Sequence, residues 1–246
     1  MPIVYRVFAL AALTLSCLAT PPFAAENPEK SVLSVQAGQG GTSLVLDGIP
    51  FHRTGSVISE ERLILVPGTG TRVALWTETD ADGRAAPYYS IGQDGAPMGR
   101  AVETSYILKV RHGEFDPVRR VPPVDRSLAS GESQNLYIVQ FETQALQEYR
   151  DAISIVGGRV LAFMANHAHI VRMSPGVRNQ VAAMPFVRWI GPYHPAYRLE
   201  EYLLRNRVNA DMLFPDQRYN ILVFEDGDAG LDAVVGRLNG IGAEVR

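Results

Sequence analysis

Hydrophobic and polar positions between Asn135 and Leu199 follow a mixed strand and helix pattern. Apolar runs of strand length open and close this segment, whereas residues 144–156 carry an apolar side chain at every third or fourth position, which is typical of an amphipathic helix. Gly157-Gly158 marks a helix end, and Ser174-Pro175 marks the start of a second helix. The pattern predicts the order βαββαβ, in which four antiparallel strands carry both helices on one face.

The opening half of this unit recurs 83 positions later in the chain. Phe141 is followed after sixteen positions by Gly157, and Phe224 is followed after sixteen positions by Gly240. The second copy predicts a strand over 218–225, a short helix over 231–238 and the start of another strand at 243–245. It has only half of the elements, so we expect a truncated unit and a chain that is the front part of a longer protein.

Residues 31–116 show short apolar runs separated by turn residues, without a helical period. Asp47-Gly48, Pro67-Gly68-Thr69-Gly70 and Gln93-Asp94-Gly95 each lie between two such runs, and Asp-Gly is a strong two-residue hairpin signal. This pattern indicates a small antiparallel β domain. Residues 117–134 contain three prolines and no apolar periodicity, which indicates a linker.

These patterns together predict an α+β protein. A small antiparallel β domain is followed by a βαββαβ ferredoxin-like unit and by a truncated second unit of the same kind. The predicted boundaries are a signal peptide at 1–25, a β-rich domain at 31–116, a linker at 117–134, the βαββαβ unit at 135–199, a helical connection at 200–217 and the truncated unit at 218–246.

The first 25 residues indicate export. Arg6 supplies a positive charge, Val7 to Leu18 an apolar run, and Pro21 to Ala25 a plausible cleavage region. Cys17, the only cysteine, lies in this segment, so the mature chain would have neither disulfides nor thiol chemistry. Without Arg6 the 23 basic residues become 22 against 26 acidic residues. We therefore expect a secreted protein, extracellular or periplasmic, with no nucleic acid partner and no membrane partner after signal removal.

Three segments of the βαββαβ unit resemble the prodomain of subtilisin-like serine proteases. In order, they are Tyr137 to Phe141, Ile153 to Val160 and Pro185 to Ile190. The resemblance implies a βαββαβ fold that assists the folding of a downstream protease and then inhibits it. Residues 31–116 and Gly191 to Tyr197 are similar to the amino-terminal extensions of large secreted bacterial proteases of this group.

The catalytic segments of such proteases are absent from the sequence. Gly41-Thr42-Ser43 continues into a predicted strand, and His112-Gly113 is followed by Glu114, so neither matches the family pattern. Acyl transfer needs a nucleophile and a base on one scaffold. We therefore expect no catalytic residue, no enzymatic activity and no cofactor. The resemblance implies a pro-region fragment that is an intramolecular chaperone and inhibitor, and the alternative is a standalone secreted protease inhibitor or protein-interaction module.

The first and last strands of the βαββαβ unit carry apolar residues on both faces. Because the helices cover only one face of such a sheet, the other face is a candidate partner surface. We hypothesise that it packs on the catalytic domain of a subtilisin-like protease. The alternative is that the β-rich domain or the second unit covers it. The predicted partner-binding residues are Tyr137, Val139, Phe141, Val187, Trp189, Tyr193 and His194.

Two further patterns bear on metal binding. Glu78 to Gly83 has the alternating oxygen ligands that open a calcium loop, but Tyr89 stands where a bidentate glutamate is expected. His167 and His169 are two residues apart beside a predicted hairpin, without a third ligand next to them. We predict no metal site: the first pattern favours a solvated turn, with calcium as its alternative, and the second favours a turn histidine and a sheet histidine over zinc.

Overall fold

A computed structural model describes residues 31–111, 113–131, 134–199, 221, 223 and 228–245. This part of the chain is α+β, with antiparallel sheets and three α-helices. The strands are β1 (Leu33–Gly38), β2 (Gly41–Leu46), β3 (Ile49–Thr54), β4 (Val57–Leu65), β5 (Thr71–Thr79), β6 (Ala85–Gln93), β7 (Val102–Glu103), β8 (Leu108–Val110), β9 (Gly113–Phe115), β10 (Leu136–Phe141), β11 (Arg159–Met164), β12 (Ala168–Arg172) and β13 (Val187–Pro192). The helices are α1 (Gln147–Ile155), α2 (Pro175–Ala182) and α3 (Asp228–Gly240).

The amino-terminal strands form two stacked sheets. The front sheet has the order β1-β2-β3, and the middle sheet has the order β4-β5-β6-β7. Strand β5 alternates between the two faces of the middle sheet: Ala74 and Trp76 pack on Leu44 of the front sheet, whereas Val73 and Leu75 face the other way. The middle sheet is therefore buried on both faces.

Turn chemistry explains the hairpin between β2 and β3. Asp47 and Gly48 have φ angles of 53° and 82°, the left-handed pair that a two-residue turn of this kind requires. This predicted hairpin is confirmed. The one predicted around Gln93-Asp94-Gly95 is only partly formed, because β7, which follows this turn and pairs with β6, has only two residues.

Residues 136–192 fold in the order β10, α1, β11, β12, α2, β13. Their strands make one antiparallel sheet, here called the rear sheet, with the order β11-β12-β10-β13. Ser174 caps α2, since its Oγ accepts a hydrogen bond from the Val177 N–H at 3.3 Å, and Pro175 occupies the first turn. These helix start signals are confirmed.

One apolar core joins the middle sheet to the helix-covered face of the rear sheet. The rings of Tyr149 on α1 and Phe186 stack at 4.2 Å between centroids, and both side chains are almost fully buried. Val73 and Leu75 of β5 belong to the same cluster as β10, α1 and α2. The β-rich region and the βαββαβ unit therefore share their largest hydrophobic core.

The other face of the rear sheet is covered by residues 106–111 and 113–131, here called the cover segment. It contains the β8–β9 hairpin and a 3₁₀ turn at Arg126–Leu128. Leu108 and Phe115 pack on Ile138 of β10, with Trp189 at the edge of the same cluster. Leu108 and Phe115, within the predicted β-rich domain, therefore pack on the rear sheet, and the predicted linker contains a 3₁₀ turn.

At the carboxyl end the structure describes α3, which is longer than the helix predicted over 231–238. Ala243 to Val245 does not form the predicted strand. The predicted signal peptide, the helical connection and most of the predicted strand at 218–225 lie outside the described residues, and the repeated second unit stays a prediction. Within the described residues, no helix is both long enough and apolar enough to cross a bilayer.

Candidate partner-binding site

Three of the predicted partner-binding residues are buried inside the chain. The exposed fractions of Tyr137, Val139 and Phe141 are 8 %, 0 % and 0 %. They point toward α1 and α2, and the middle sheet closes the end of the same core. The prediction that they form an uncovered face is wrong, because these side chains alternate onto the face that the helices occupy.

Val187 and Trp189 do not share a face. The pairing register between β10 and β13 shifts by one residue after Gln140. Gln140 lies opposite Trp189, whereas Phe141 lies opposite Val187. Arg188 is the extra residue of this bulge. Val187 therefore packs with the helices, and Trp189 packs under the cover segment.

The last two predicted residues lie where the chain leaves β13. His194 accepts a hydrogen bond at Nδ1 from the Ser130 N–H at 2.9 Å, and its ring meets Tyr197 edge-on at 5.1 Å. Tyr193 is half-buried beneath the Arg198 guanidinium, which lies 5.6 Å from its ring centroid, and burial raises the pKa of its hydroxyl. Together these contacts hold the end of the cover segment against the exit of β13.

A polar cluster that the sequence analysis missed lies between the cover segment and the rear sheet. It is formed by Tyr106 and Asp116 of the cover segment and by Gln140 and Arg188 of the sheet, and is here called the Arg188 cluster. Arg188 donates to both carboxylate oxygens of Asp116, at 2.8 and 3.0 Å, and to Gln140 Oε1 at 2.9 Å. Its guanidinium stacks 4.1 Å from the Tyr106 ring centroid.

The remaining groups of the Arg188 cluster are also satisfied. Gln140 is fully buried, and its amide nitrogen donates to the Tyr106 carbonyl at 3.0 Å and to the Asn166 carbonyl at 3.0 Å. Burial alone would raise the pKa of Asp116, but the hydrogen bonds and charge of Arg188 outweigh it and hold that pKa below its ordinary value. Burial also raises the pKa of Tyr106. The cluster therefore holds a charged pair and a neutral phenol.

A second ion pair ties the middle sheet to the βαββαβ unit. Arg62 of β4 donates to Glu142 Oε1 at 2.8 Å, and the Tyr106 hydroxyl donates to the Glu142 carbonyl at 2.8 Å. Between these contacts runs an open groove of about 1110 Å³. Its walls include Arg62, Thr77, Glu103, Tyr106, Glu142 and Arg188. Both signs of charge line the groove, so it lacks the uniformly basic lining of a polyanion site.

The two candidate metal sites have other roles in the structure. Glu78 accepts hydrogen bonds from three side chains, and Asp80 Oδ1 accepts from the backbone N–H groups of Asp82 and Arg84 in the turn. His167 lies in the β11–β12 turn against Thr104, while the ring of His169 lies among phenylalanines. Within the described residues, no group of three or more histidine, cysteine, aspartate or glutamate side chains is arranged to hold a metal ion.

Burial of His167 makes the stability of the fold depend on pH. Burial lowers its pKa to about 4 from 6.5. Because His167 binds a proton less readily in the folded state than in the unfolded state, the stabilisation that neutral His167 contributes is fully present above pH 6.5 and falls as the pH drops toward about 4. We expect the urea midpoint of the protein to decrease from about pH 7 to about pH 5, and His167→Asn to reduce that decrease.

Asparagine suits this position because His167 has a φ of 65°, in the left-handed region that asparagine tolerates. The pKa of His169 is lowered in the same direction, first by burial and then by the charge of Arg150, so its share of the pH dependence persists in the variant. An unchanged pH slope in His167→Asn would contradict the assignment.

Part of the chain matches a described protein family. Residues 109–194, about a third of the chain, match a family described as a domain of unknown function (DUF8729). No curated protein matches the sequence. No solved structure matches it either. The matched range includes most of the cover segment, the whole rear sheet and the exit of β13.

Proposed function

We propose that this chain is a non-catalytic binding module of the pro-region type for a secreted subtilisin-like serine protease. It assists folding of the protease domain and then inhibits it. In this proposal the chain is exported, carries no cofactor, and acts through protein–protein contact alone.

The arrangement of residues 136–192 carries the proposal. If the four strands are numbered as they occur along the chain, their positions across the sheet are two, three, one and four. Each pair of neighbouring strands is antiparallel, and α1 and α2 pack on one face. This strand order and the placement of both helices on one face support the ferredoxin-like arrangement that the resemblance to subtilisin prodomains implies. The fold alone hosts many functions, so the resemblance of Tyr137 to Phe141, Ile153 to Val160 and Pro185 to Ile190 supplies the choice of partner.

A second candidate is a standalone secreted protease inhibitor or protein-interaction module. One observation favours it: both faces of the rear sheet are covered by the chain itself, by helices on one side and by the cover segment on the other. A module that buries its own sheet needs no covalently attached domain to remain folded. The two candidates differ in whether the chain assists the folding of a protease.

The proposal is tested with residues 26–246 and a panel of subtilisin-type proteases. We expect inhibition of peptide hydrolysis at micromolar or lower concentration, and a higher yield of active enzyme when a denatured protease domain refolds in the presence of the chain. Inhibition without improved refolding would favour the standalone inhibitor. The absence of both effects, with a folded chain confirmed by circular dichroism, would overturn the pro-region proposal.

A further inference from the structure

Strand β11 forms one edge of the rear sheet. Among the described residues it pairs only with β12, so no strand there uses the N–H and C=O groups on its outer side. Apart from Arg159 at its start, all of its side chains are apolar. Phe163 is 73 % exposed, even though its ring meets that of His169 edge-on. The edge therefore presents both backbone groups and an exposed aromatic side chain to its surroundings.

Two other edge strands carry features that oppose pairing between separate chains. On β13, at the opposite edge of the rear sheet, Arg188 forms a bulge and Pro192 ends the strand. On β4, at one edge of the middle sheet, the exposed and charged Glu60 and Glu61 lie within a register shift. Strand β11 has no charged residue after Arg159. Of these three edges, β11 is the one suited to pairing with another chain.

Two side chains of β11 point to the face of the rear sheet that the helices cover. Val160 packs against the core that contains α1 and α2. Phe163 lies opposite His169 of β12, and His169 in turn lies opposite Val139, a member of the same core. Since directly opposed residues share a face, Phe163 is on the helix side at the edge of the sheet.

The first and last side chains of β11 point to the other face, under the cover segment. Met164 packs against the cluster around Ile138. Arg159 lies opposite Arg172 of β12, and Arg172 lies opposite Leu136. Leu136 is two residues before Ile138 in β10, so it shares the face of Ile138.

The side-chain directions along β11 consequently read the same from either end. Arg159 and Met164 are the first and last residues, and Val160 and Phe163 are the second and the fifth. A regular strand of six residues would place its first and last side chains on opposite faces. The register shift between Val160 and Ala162 removes that difference.

This symmetry identifies the strand that fits the edge. When a strand pairs antiparallel with a copy of itself about a twofold axis, its first residue lies opposite the last, and its second lies opposite the fifth. Opposed residues must share a face. Strand β11 meets this condition at both pairs of positions, so the matching occupant is β11 of a second copy of this chain.

We propose that β11 pairs antiparallel with β11 of a second copy, so that two four-stranded rear sheets become continuous. Val160 of one copy lies opposite Phe163 of the other, and Arg159 lies opposite Met164. The two Arg159 side chains are five positions apart along the paired strands, about 17 Å, so like charges do not meet. This pairing does not depend on the proposed function, because it involves no protease.

Sedimentation equilibrium of residues 26–246 tests the pairing. We expect the weight-average mass to rise from that of one chain toward that of two between about 1 and 200 µM, because one added strand pair is a small interface. Phe163→Lys should weaken the association about tenfold or more, since it removes the exposed ring and places a charge opposite Val160. The matched control is Ile49→Lys, which replaces a 64 % exposed side chain on the front sheet and should leave the association unchanged.

Disulfide formation tests the register, because residues 26–246 contain no cysteine. Val160→Cys and Phe163→Cys chains oxidised together should form a mixed disulfide, since these positions are directly opposed in the proposed register. Phe163→Cys oxidised alone should give about a tenth of that yield or less. Its two copies are three positions apart along the paired strands, about 10 Å, which is too far for a disulfide.

Four results would overturn the proposal. The first is a wild-type protein that stays a single chain up to about 200 µM. The second is such a monomer in which the β11 amides exchange as slowly as those of β12, which would mean that another part of the chain pairs with this edge. The third is an equal effect of Phe163→Lys and Ile49→Lys, which would place the contact away from β11. The fourth is a Phe163→Cys disulfide that forms as readily as the mixed one, which would exclude the antiparallel register.

Discussion

Replacing Phe186 with alanine is expected to lower the free energy of unfolding by about 3–5 kcal/mol. The Phe186 side chain is 1 % exposed, and its ring stacks on Tyr149 at 4.2 Å with an angle of 2° between the planes. It also lies 6.3 Å from the Phe141 ring. Truncation removes buried aromatic area and leaves a cavity between α1 and the rear sheet.

The loss should be large relative to the stability of the protein, since domains of ordinary size are stable by only about 5–15 kcal/mol. Urea unfolding followed by circular dichroism measures it. Phe163→Ala is the matched control, because Phe163 is 73 % exposed at the edge strand β11, and we expect a change within about 0.5 kcal/mol there. Similar losses in the two variants would contradict the packing described for the core.

The Phe186→Ala variant also tests whether the βαββαβ unit and the middle sheet share one core. Because Phe186 and Leu75 belong to one cluster, destabilising the βαββαβ unit should also loosen the middle sheet. A single unfolding transition in Phe186→Ala would agree with this coupling. Two separate transitions would mean that the front of the chain keeps its own stability when the core of the βαββαβ unit is damaged.

Local signals in the sequence predicted most of the secondary structure. Strand β10, the β2–β3 hairpin at Asp47-Gly48 and the capped start of α2 at Ser174 each depend on a few adjacent residues. Such signals act within one turn or one strand, so a single sequence contains them. The coarse class, α+β with antiparallel sheets, followed from the same signals.

The candidate site could not be predicted in this way, because it depends on which segment covers which face. The apolar alternation of β10 indicates two buried faces, but not that the cover segment folds back over one of them. The bulge that separates Val187 from Trp189 arises from pairing between β10 and β13, and no residue type in β13 encodes it. Local patterns therefore grouped side chains that the folded sheet separates.

One signal for the missed cluster was present in the sequence. Gln140 interrupts the apolar run of β10, and Arg188 interrupts that of β13. A polar side chain in the middle of a buried strand requires a partner, since an unsatisfied buried group costs about 1–3 kcal/mol. Their pairing with each other and with Asp116, 48 and 72 residues away from Arg188, is a property of the tertiary structure alone.

Glu78→Ala is expected to lower the free energy of unfolding by about 3 kcal/mol or more, because three donors lose their acceptor and each costs about 1–3 kcal/mol when unsatisfied. The carboxylate of Glu78 accepts from His52 Nε2 at 2.7 Å, Thr54 Oγ1 at 2.8 Å and Trp76 Nε1 at 2.9 Å. His52 and Thr54 belong to β3 of the front sheet, so this one side chain joins the two stacked sheets. Glu61→Ala, at an exposed position of β4, is the matched control and should change stability little.

Acid provides a second test of the same carboxylate. Burial by itself raises the pKa of Glu78, but the hydrogen bonds from Trp76, Thr54 and His52 and the charge of His52 outweigh it and hold the pKa below 4.5. A lowered folded pKa means that the stabilisation is present above about pH 4.5 and is lost as the pH falls through the folded value. The stability difference between wild type and Glu78→Ala should therefore shrink in acid. A difference that stays constant down to about pH 3 would show that packing of the side chain, not its charge, joins the front and middle sheets.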